Sequence, residues 1–422
     1  MIKRDYYLNA LVRNMWNGEI KVITGIRRAG KSVLLFELFR DYLIKQGVPD
    51  ENIIQIELDR LKYHEYRNPI KLCEYVESIV MPHADEKFYL FIDEVQFTVK
   101  ISGADGIAIT VYDMLSELKS HKNLDIYVTG SNSKMLSSDI ATEFRGRAVQ
   151  IRVYPLSFEE FYSFVGGDVN TALGEYMLYG GMPRITAISD ESEKKSYLQS
   201  LFDELYLKDI VERNRLERED ILGAVLDFIA SQIGSLTNPT NIANALTSVR
   251  RESVSPALVS SYLSCVTDAF LIKEAKRYDV KGKTYFNYPN KYYYTDIGLR
   301  NARLNYRQYD PGHIMENIIY NELVRRGNSV DIGVVTERVG DKKIMREIDF
   351  VVNRGDKRIY IQSAQRMDID EKKSTELKSL GLTGDFFKKI VIRMDIPRSF
   401  YDDSGFLHCT LTDFLLGNAD LF

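Results

Sequence analysis

The chain is poor in several residues that announce a specialised fold: 422 residues carry three cysteines, one tryptophan, five histidines and ten prolines. Cys73, Cys265 and Cys409 lie far apart, are odd in number and form no C-x-x-C pair. That excludes a disulfide framework and fits a reducing cytoplasm. The histidines (His64, His83, His121, His313, His408) form no H-E-x-x-H and no short-range cluster, so a structural zinc is not expected. No apolar run approaches the ~18 residues a membrane span needs, and the start, Met-Ile-Lys-Arg-Asp-Tyr-Tyr, lacks a signal-like apolar core. A soluble cytoplasmic protein is expected. An excess of one charge is missing too: 56 Lys+Arg stand against 60 Asp+Glu, for a formal net charge of −4. The whole chain is therefore no basic nucleic-acid coat, although a local basic face stays open. What is present is an ordinary globular composition, 45% hydrophobic and 27% charged, long enough for roughly three domains.

The first third alternates short apolar runs with amphipathic stretches. Glu19–Thr24, Ile53–Leu58, Phe88–Asp93, Leu124–Thr129 and Val149–Tyr154 read as strands. Helical patterns at Lys31–Gln46, Ile70–Val80 and Ile107–Ser120 fall between them. Strands alternating with helices imply crossover connections and a parallel sheet covered on both faces. The alternation stops near Pro155, and the reading is mostly helical to about Asn238. Short helices at Thr240–Leu246 and Ser255–Phe270 follow, then a Tyr- and Lys-rich β-hairpin over Lys273–Thr295. The last segment shows a helix at Ile314–Arg325 and strands at Val330–Val335, Ile348–Val352, Arg358–Ile361 and Lys389–Arg393.

Directly after the first strand comes Gly25-Ile26-Arg27-Arg28-Ala29-Gly30-Lys31-Ser32, a G-x-x-x-x-G-K-S loop between a strand and a helix. That context makes a P-loop. Glycines let the backbone wrap so that successive N–H groups face phosphate oxygens, and the helix start adds its positive dipole end. The residues expected around the phosphates are Gly25, Arg27, Arg28, Ala29, Gly30, Lys31, Ser32 and Val33. Lys31 places a charge on the β- and γ-phosphates, and Ser32 offers an oxygen to Mg²⁺. The apolar strand Tyr89-Leu90-Phe91-Ile92 ends in Asp93-Glu94, a Walker B pattern. Asp93 is expected to hold Mg²⁺ and Glu94 to orient and deprotonate water, which points to hydrolysis of ATP.

One strand intervenes between the P-loop strand and the Asp-Glu strand, and the strand after that ends Thr129-Gly130-Ser131-Asn132. This order looks like the additional-strand division of P-loop ATPases, in which the later strand enters between the other two. Its tip then senses the γ-phosphate, with Ser131 or Asn132 preferred over Thr129. Arg145 and Arg147, just before the fifth strand, are candidates for an arginine finger acting in cis or across a subunit interface.

The runs G-I-R-R-A-G-K-S, L-F-I-D-E-V-Q, V-T-G-S-N-S-K-M-L, R-G-R-A-V-Q-I-R-V-Y-P-L-S-F-E-E-F and Y-G-G-M-P resemble those of prokaryotic AAA+-type ATPases of largely unknown function. The resemblance covers nearly the whole chain. It implies an α/β P-loop core (1–165), a helical lid (166–205), a winged-helix segment (206–307) and a restriction-nuclease-like α/β domain (308–422). ATP and Mg²⁺ are the implied cofactors, with a DNA or protein partner for the C-terminal modules and possible homo-oligomers.

Basic residues gather in the second half: Arg250, Arg251, Lys273, Lys276, Arg277, Lys281, Lys283, Lys291, Arg300, Arg303 and Arg307, interleaved with tyrosines. Such a stretch can contact phosphates, but winged helices also dock proteins, and alternate tyrosines pack in hairpins. The order Glu316, Asp349, Gln362, Ala364 resembles a PD-(D/E)-x-K nuclease. Gln362 stands where that pattern has its second acid and Ala364 where it has its lysine, so cleavage is not expected. The expected function is Mg²⁺-dependent ATP hydrolysis coupled to movement of the C-terminal modules. A nucleotide-gated binding switch with little turnover is the alternative, and an ATP-controlled nuclease the third.

Overall fold

Each apolar run of the first third becomes a strand: β1 (Ile20–Thr24), β2 (Ile53–Glu57), β3 (Phe88–Asp93), β6 (Leu124–Gly130) and β7 (Ala148–Arg152). Two-residue strands β4 (Ile101–Ser102) and β5 (Ala108–Ile109) pair only with each other. The computed structural model describes residues 2–102, 108–130, 148–367 and 377–421. They form two compact units, Met1–Tyr154 with Asp268–Phe270, and Pro155–Thr267 with Leu271–Phe422.

In the first unit the five strands make one parallel sheet in the order β2-β3-β6-β1-β7. The later strand β6 thus lies between the P-loop strand and the Asp-Glu strand, as the additional-strand order requires. Every residue of β1, β3 and β6 is buried. A parallel sheet covered on both faces demands that, which is why these strands read as continuous apolar runs. One face meets Leu72, Val76 and Val80 of helix Pro69–Val80 and Met114, Leu115 and Leu118 of helix Val111–Leu118. On the other, Phe39 packs on Phe91 and Tyr127, with ring centroids 5.6 and 4.9 Å away. Fully burying each such side chain contributes about 1.5–3 kcal/mol. Helix Val111–Leu118 starts later than its expected Ile107, because Thr110 and Asp113 close a reciprocal capping box at its N-terminus.

The second unit holds a mixed sheet of eight strands. Its members are β9 (Arg277–Asp279), β10 (Thr284–Tyr285), β12 (Ser329–Val339), β13 (Lys342–Arg354), β14 (Lys357–Ala364), β15 (Lys388–Arg393), β16 (Phe400–Tyr401) and β17 (Leu407–Thr410). They lie in the order β10-β9-β12-β13-β14-β15-β17-β16. A separate pair joins β8 (Ile272–Ala275) to β11 (Lys291–Tyr294). The expected single hairpin over Lys273–Thr295 is therefore two ladders. Its root pairs with itself, while its tip leaves to join the large sheet through the parallel β9–β12 contact. Tyr278 and Val280 explain the departure, because both are buried in a core with Val335, Ile348 and Tyr360.

The Y-G-G-M-P run has a backbone reason. A Cβ on Gly180 would sit 2.3 Å from Asp296 Oδ1, and Gly180 has φ +73°. The Gly181 N–H donates to Asp296 Oδ2 at 2.7 Å. Asp296 also caps helix Ile297–Arg303 by accepting from Leu299 N at 3.1 Å. Burial pushes the Asp296 carboxyl up to about 6, with the backbone donors of Gly181, Leu299 and Gly298 pulling the other way. An unfolded chain titrates near the ordinary ~3.9, so between the two values the folded state holds the extra proton. This group's contribution to stability therefore falls as pH rises from about 4 to 6, by on the order of 3 kcal/mol. Asp349, also raised to about 6, adds a slope of the same sign. Urea midpoints of Asp296→Asn between pH 4 and 7 are expected to fall less steeply with rising pH than those of the parent chain.

Among the described residues, no helix is long and apolar enough to cross a membrane.

Candidate nucleotide-binding site

The loop after β1 is fixed by close backbone packing. Gly25 has φ +145°, and a Cβ there would lie 2.1 Å from the Val153 carbonyl oxygen, so only glycine lets the chain pass. Gly30 has φ 94° and precedes the helix that begins with Lys31–Val33, widens through Leu34–Phe39 and continues as Arg40–Lys45. From outside the motif, Arg4 donates to Ala29 O at 3.0 Å and to Tyr154 O at 2.6 Å, lacing the loop to the chain beyond β7. The sequence offered no signal for Arg4 beyond a charge near the N-terminus.

Lys31 is only 3% exposed. Its ammonium rests on the carbonyl oxygens of Gly25 at 3.1 Å and Ile26 at 3.2 Å, inside the loop its own motif forms. Ser32 Oγ donates to Asp93 Oδ2 at 2.7 Å. The hydroxyl at the helix start and the carboxylate at the end of β3 are therefore immediate neighbours, although 61 residues separate them. Burial pushes Asp93 above the usual carboxylate range, while hydrogen bonds from Thr129 and Ser32 and the charge of Lys31 act against it. A buried carboxylate of this kind gains from a nearby cation.

Thr129, at the tip of β6, links the two acids. Its hydroxyl donates to Asp93 Oδ1 and accepts from the Glu94 backbone N–H at 3.1 Å. Glu94 sits in the left-handed region at φ 51°, a conformation that costs a non-glycine residue on the order of 1–3 kcal/mol. Gln96 Nε2 donates to Glu94 Oε2. Gln96 was not singled out from sequence; its contact depends on that left-handed turn.

Gly25, Ala29, Gly30, Lys31, Ser32, Asp93 and Glu94 thus come to one end of the sheet. Arg28 is exposed with φ 60°, Arg27 is half-buried, and the Val33 side chain is 41% exposed, so Val33 has only its backbone to offer the loop. Ser131, Asn132, Arg145 and Arg147 lie outside the described residues.

Residues 17–162, which span β1 to β7, match the AAA domain family. An uncharacterized protein of Haemophilus influenzae is 37% identical over 397 residues, covering 93% of this chain and 93% of its own length. The chain belongs to an AAA-domain family. An uncharacterized protein of Methanocaldococcus jannaschii is similar at 28% identity over 411 residues, covering 94% of this chain and 85% of its own. Beyond the AAA domain, residues 170–310 match a domain of unknown function, DUF8612. Among solved structures, a Walker-type ATPase of Pyrococcus abyssi aligns over 72% of this chain and 96% of its own, at 16% identity and a TM-score of 0.49. The AAA domain is a P-loop nucleotide-binding domain of ATPase type.

The basic residues of the second unit divide. Arg300 is 1% exposed and donates to Ala230 O and Gln308 O. Arg303 is paired with Asp203 and Asp227, Arg250 with Asp220, and Lys291 with Glu316 and Glu347. Arg300, Arg303 and Lys291 hold the fold, whereas Arg250 and its pairing with Asp220 lie exposed at the surface. Arg251, Lys276, Lys281, Lys283 and Arg307 remain exposed, with Tyr285 and Tyr288 exposed among them. The basic stretch read from sequence is thus thinner at the surface than its residue count.

Proposed function

We propose that this chain binds ATP with Mg²⁺ and hydrolyses it at the end of the β2-β3-β6-β1-β7 sheet. The observation that carries the reading is the contact of Ser32 Oγ with Asp93 Oδ2 at 2.7 Å, beside the buried Lys31 ammonium. A buried carboxylate from the end of β3, brought against the hydroxyl oxygen and fixed ammonium of the loop after β1, forms the donor set a magnesium triphosphate needs. Gly25 lets the loop pass against the Val153 carbonyl, and a glycine-bounded loop of this kind can offer its N–H groups to phosphate oxygens.

When bound, Mg²⁺ supplies positive charge to the triphosphate tail. Lys31 grips the β- and γ-phosphate oxygens by exchanging its carbonyl contacts for anionic ones. Ser32 and Asp93 would hold the metal. Glu94 orients a water and takes its proton. Thr129, bonded to both Asp93 and the Glu94 backbone, keeps the two acids in register and reports the state of one to the other. Ser131 or Asn132 senses the γ-phosphate, and Arg145 or Arg147 neutralises charge in the transition state. Arg27 and Arg28 tune affinity.

Hydrolysis then alters the C-terminal modules. In the second unit, helices Pro239–Arg250 and Pro256–Asp268 precede the β8/β11 ladder, an order that suits a winged helix. The exposed Lys276, Lys281, Lys283, Tyr285 and Tyr288 at the hairpin tip supply a surface for DNA phosphates or an acidic protein partner. The Gln96–Glu94 contact favours a second reading, a nucleotide-gated switch, because it engages the carboxylate that water activation needs. Phosphate release separates the two. Steady release from MgATP by the purified chain supports the ATPase. Release near zero together with ATP-dependent retention of duplex DNA supports the switch.

A further inference from the structure

A buried polar cluster in the second unit has no part in the nucleotide site. Lys291, on β11, is 4% exposed, and its ammonium lies 2.8 Å from Glu316 Oε1 and 2.6 Å from Glu347 Oε1. Glu316 comes from helix Pro311–Arg325 and Glu347 from β13, so one cation ties three elements. Tyr293 OH donates to Glu316 Oε1 at 2.5 Å. Asp349, two residues beyond Glu347 on β13, is buried as well.

The nuclease resemblance implies a divalent metal among Glu316, Asp349 and the position of Gln362. The residues present do not fit one. A cation site needs lone pairs turned inward. Here Gln362 Nε2 donates to Asp349 Oδ1 at 3.0 Å, and Ser363 donates both N–H (2.7 Å) and O–H (2.8 Å) to Oδ2. The neighbours thus present hydrogens to the carboxylate that would have to bind an ion. Ala364 brings no polar side chain. Among the described residues, no group of three or more His, Cys, Asp or Glu is placed to hold a metal.

We propose that Lys291 is the resident cation of this cluster, an internal ammonium standing where a divalent ion would otherwise neutralise Glu316, Glu347 and Asp349. The second unit therefore carries a metal-independent joint, not a metal-dependent cutting site, and the joint fastens β11 to helix Pro311–Arg325 and β13. Burial alone would lower the Lys291 ammonium, but Glu316, Glu347 and Asp349 outweigh it and hold the proton on. The inference is independent of the nucleotide reading.

The test uses the full chain without nucleotide, in an Asp93→Asn background so that the AAA domain lacks the carboxylate proposed to hold its metal. That parent is expected to take up no Mn²⁺ in calorimetry and to keep its melting temperature in MnCl₂. Lys291→Ala is expected to lose about 10 °C in metal-free buffer, because removing one partner leaves buried charge uncompensated. Mn²⁺ is expected to return at least half of that loss at the vacated ammonium position between Glu316 and Glu347, and adding Glu347→Gln to abolish the return. A Lys291→Ala chain that folds only with Mn²⁺ present supports the proposal equally. If that variant folds under neither condition, the parent titration decides: no uptake supports, and uptake removed by Asp349→Asn overturns. The proposal is also overturned if Lys291→Ala melts with the parent, if its loss is untouched by Mn²⁺, or if the parent cuts DNA with Mn²⁺ and loses that in Asp349→Ala.

Discussion

Glu94→Gln is expected to lower steady ATP turnover by about 10²–10⁴-fold while leaving nucleotide affinity within a few-fold of the parent. The side chain stands one residue past the buried Asp93, on a backbone in the left-handed region just beyond the end of β3. Glutamine keeps the shape and the backbone strain but cannot take a proton, so the step that suffers is water activation. Asp93, Ser32 and Lys31 are untouched, so binding persists. Phosphate release at saturating MgATP, paired with a binding titration, reads the two effects separately. Equal loss of affinity and turnover would move Glu94 from the chemistry to the cradle. Unchanged turnover would remove it from the site. The long-lived bound state also makes this variant the bait with which to test whether the chain takes a DNA or protein partner.

Gly25→Ala is expected to be nearly as damaging, by a different route. Its Cβ would meet the Val153 carbonyl oxygen at 2.1 Å, a backbone atom that cannot rotate away. The loop must move, and Lys31 loses the Gly25 and Ile26 carbonyls that aim it. A stability loss of about 3 kcal/mol or more and loss of measurable nucleotide binding are expected. Gly174→Ala is the matching control. Gly174 lies exposed within helix Val169–Tyr179, and a Cβ added there would meet nothing within 4 Å, so alanine is expected to stabilise by about 0.5–1 kcal/mol. Denaturant midpoints of the two variants, each compared with the parent, check both signs. Equal midpoints for the two would show that the Val153 contact does not constrain the loop.

The site was legible where chemistry requires neighbouring residue types. A phosphate cradle needs its glycines, lysine and serine within one turn of chain, and the metal acid needs an apolar strand to deliver it. The insertion of β6 between β1 and β3 followed from the order of strands and motifs. Contacts that close through space left no such trace. Thr129 meets Glu94 across 35 residues, and Arg4 reaches Tyr154 across 150. In the second unit, charge counting misled, because a sequence shows cations but not the carboxylates folded against them: Arg300 and Lys291 read as surface groups and are core. The hairpin split for a related reason. Alternation in Lys273–Thr295 was visible, but the affinity of Tyr278 and Val280 for residues beyond Val334 was not. β17 escaped notice because Leu407-His408-Cys409-Thr410 is short and half polar, so it forms no apolar run although all four residues are buried.

The central claim is that a loop of main-chain amides with one buried ammonium grips a triphosphate. Calorimetric titration of the purified chain with ATP, with and without Mg²⁺, and of Lys31→Ala under the same conditions, tests it most directly. The account predicts Mg²⁺-dependent uptake near one nucleotide per chain, weakened at least tenfold in Lys31→Ala. Absence of uptake by the parent chain, or equal uptake by Lys31→Ala, would contradict it.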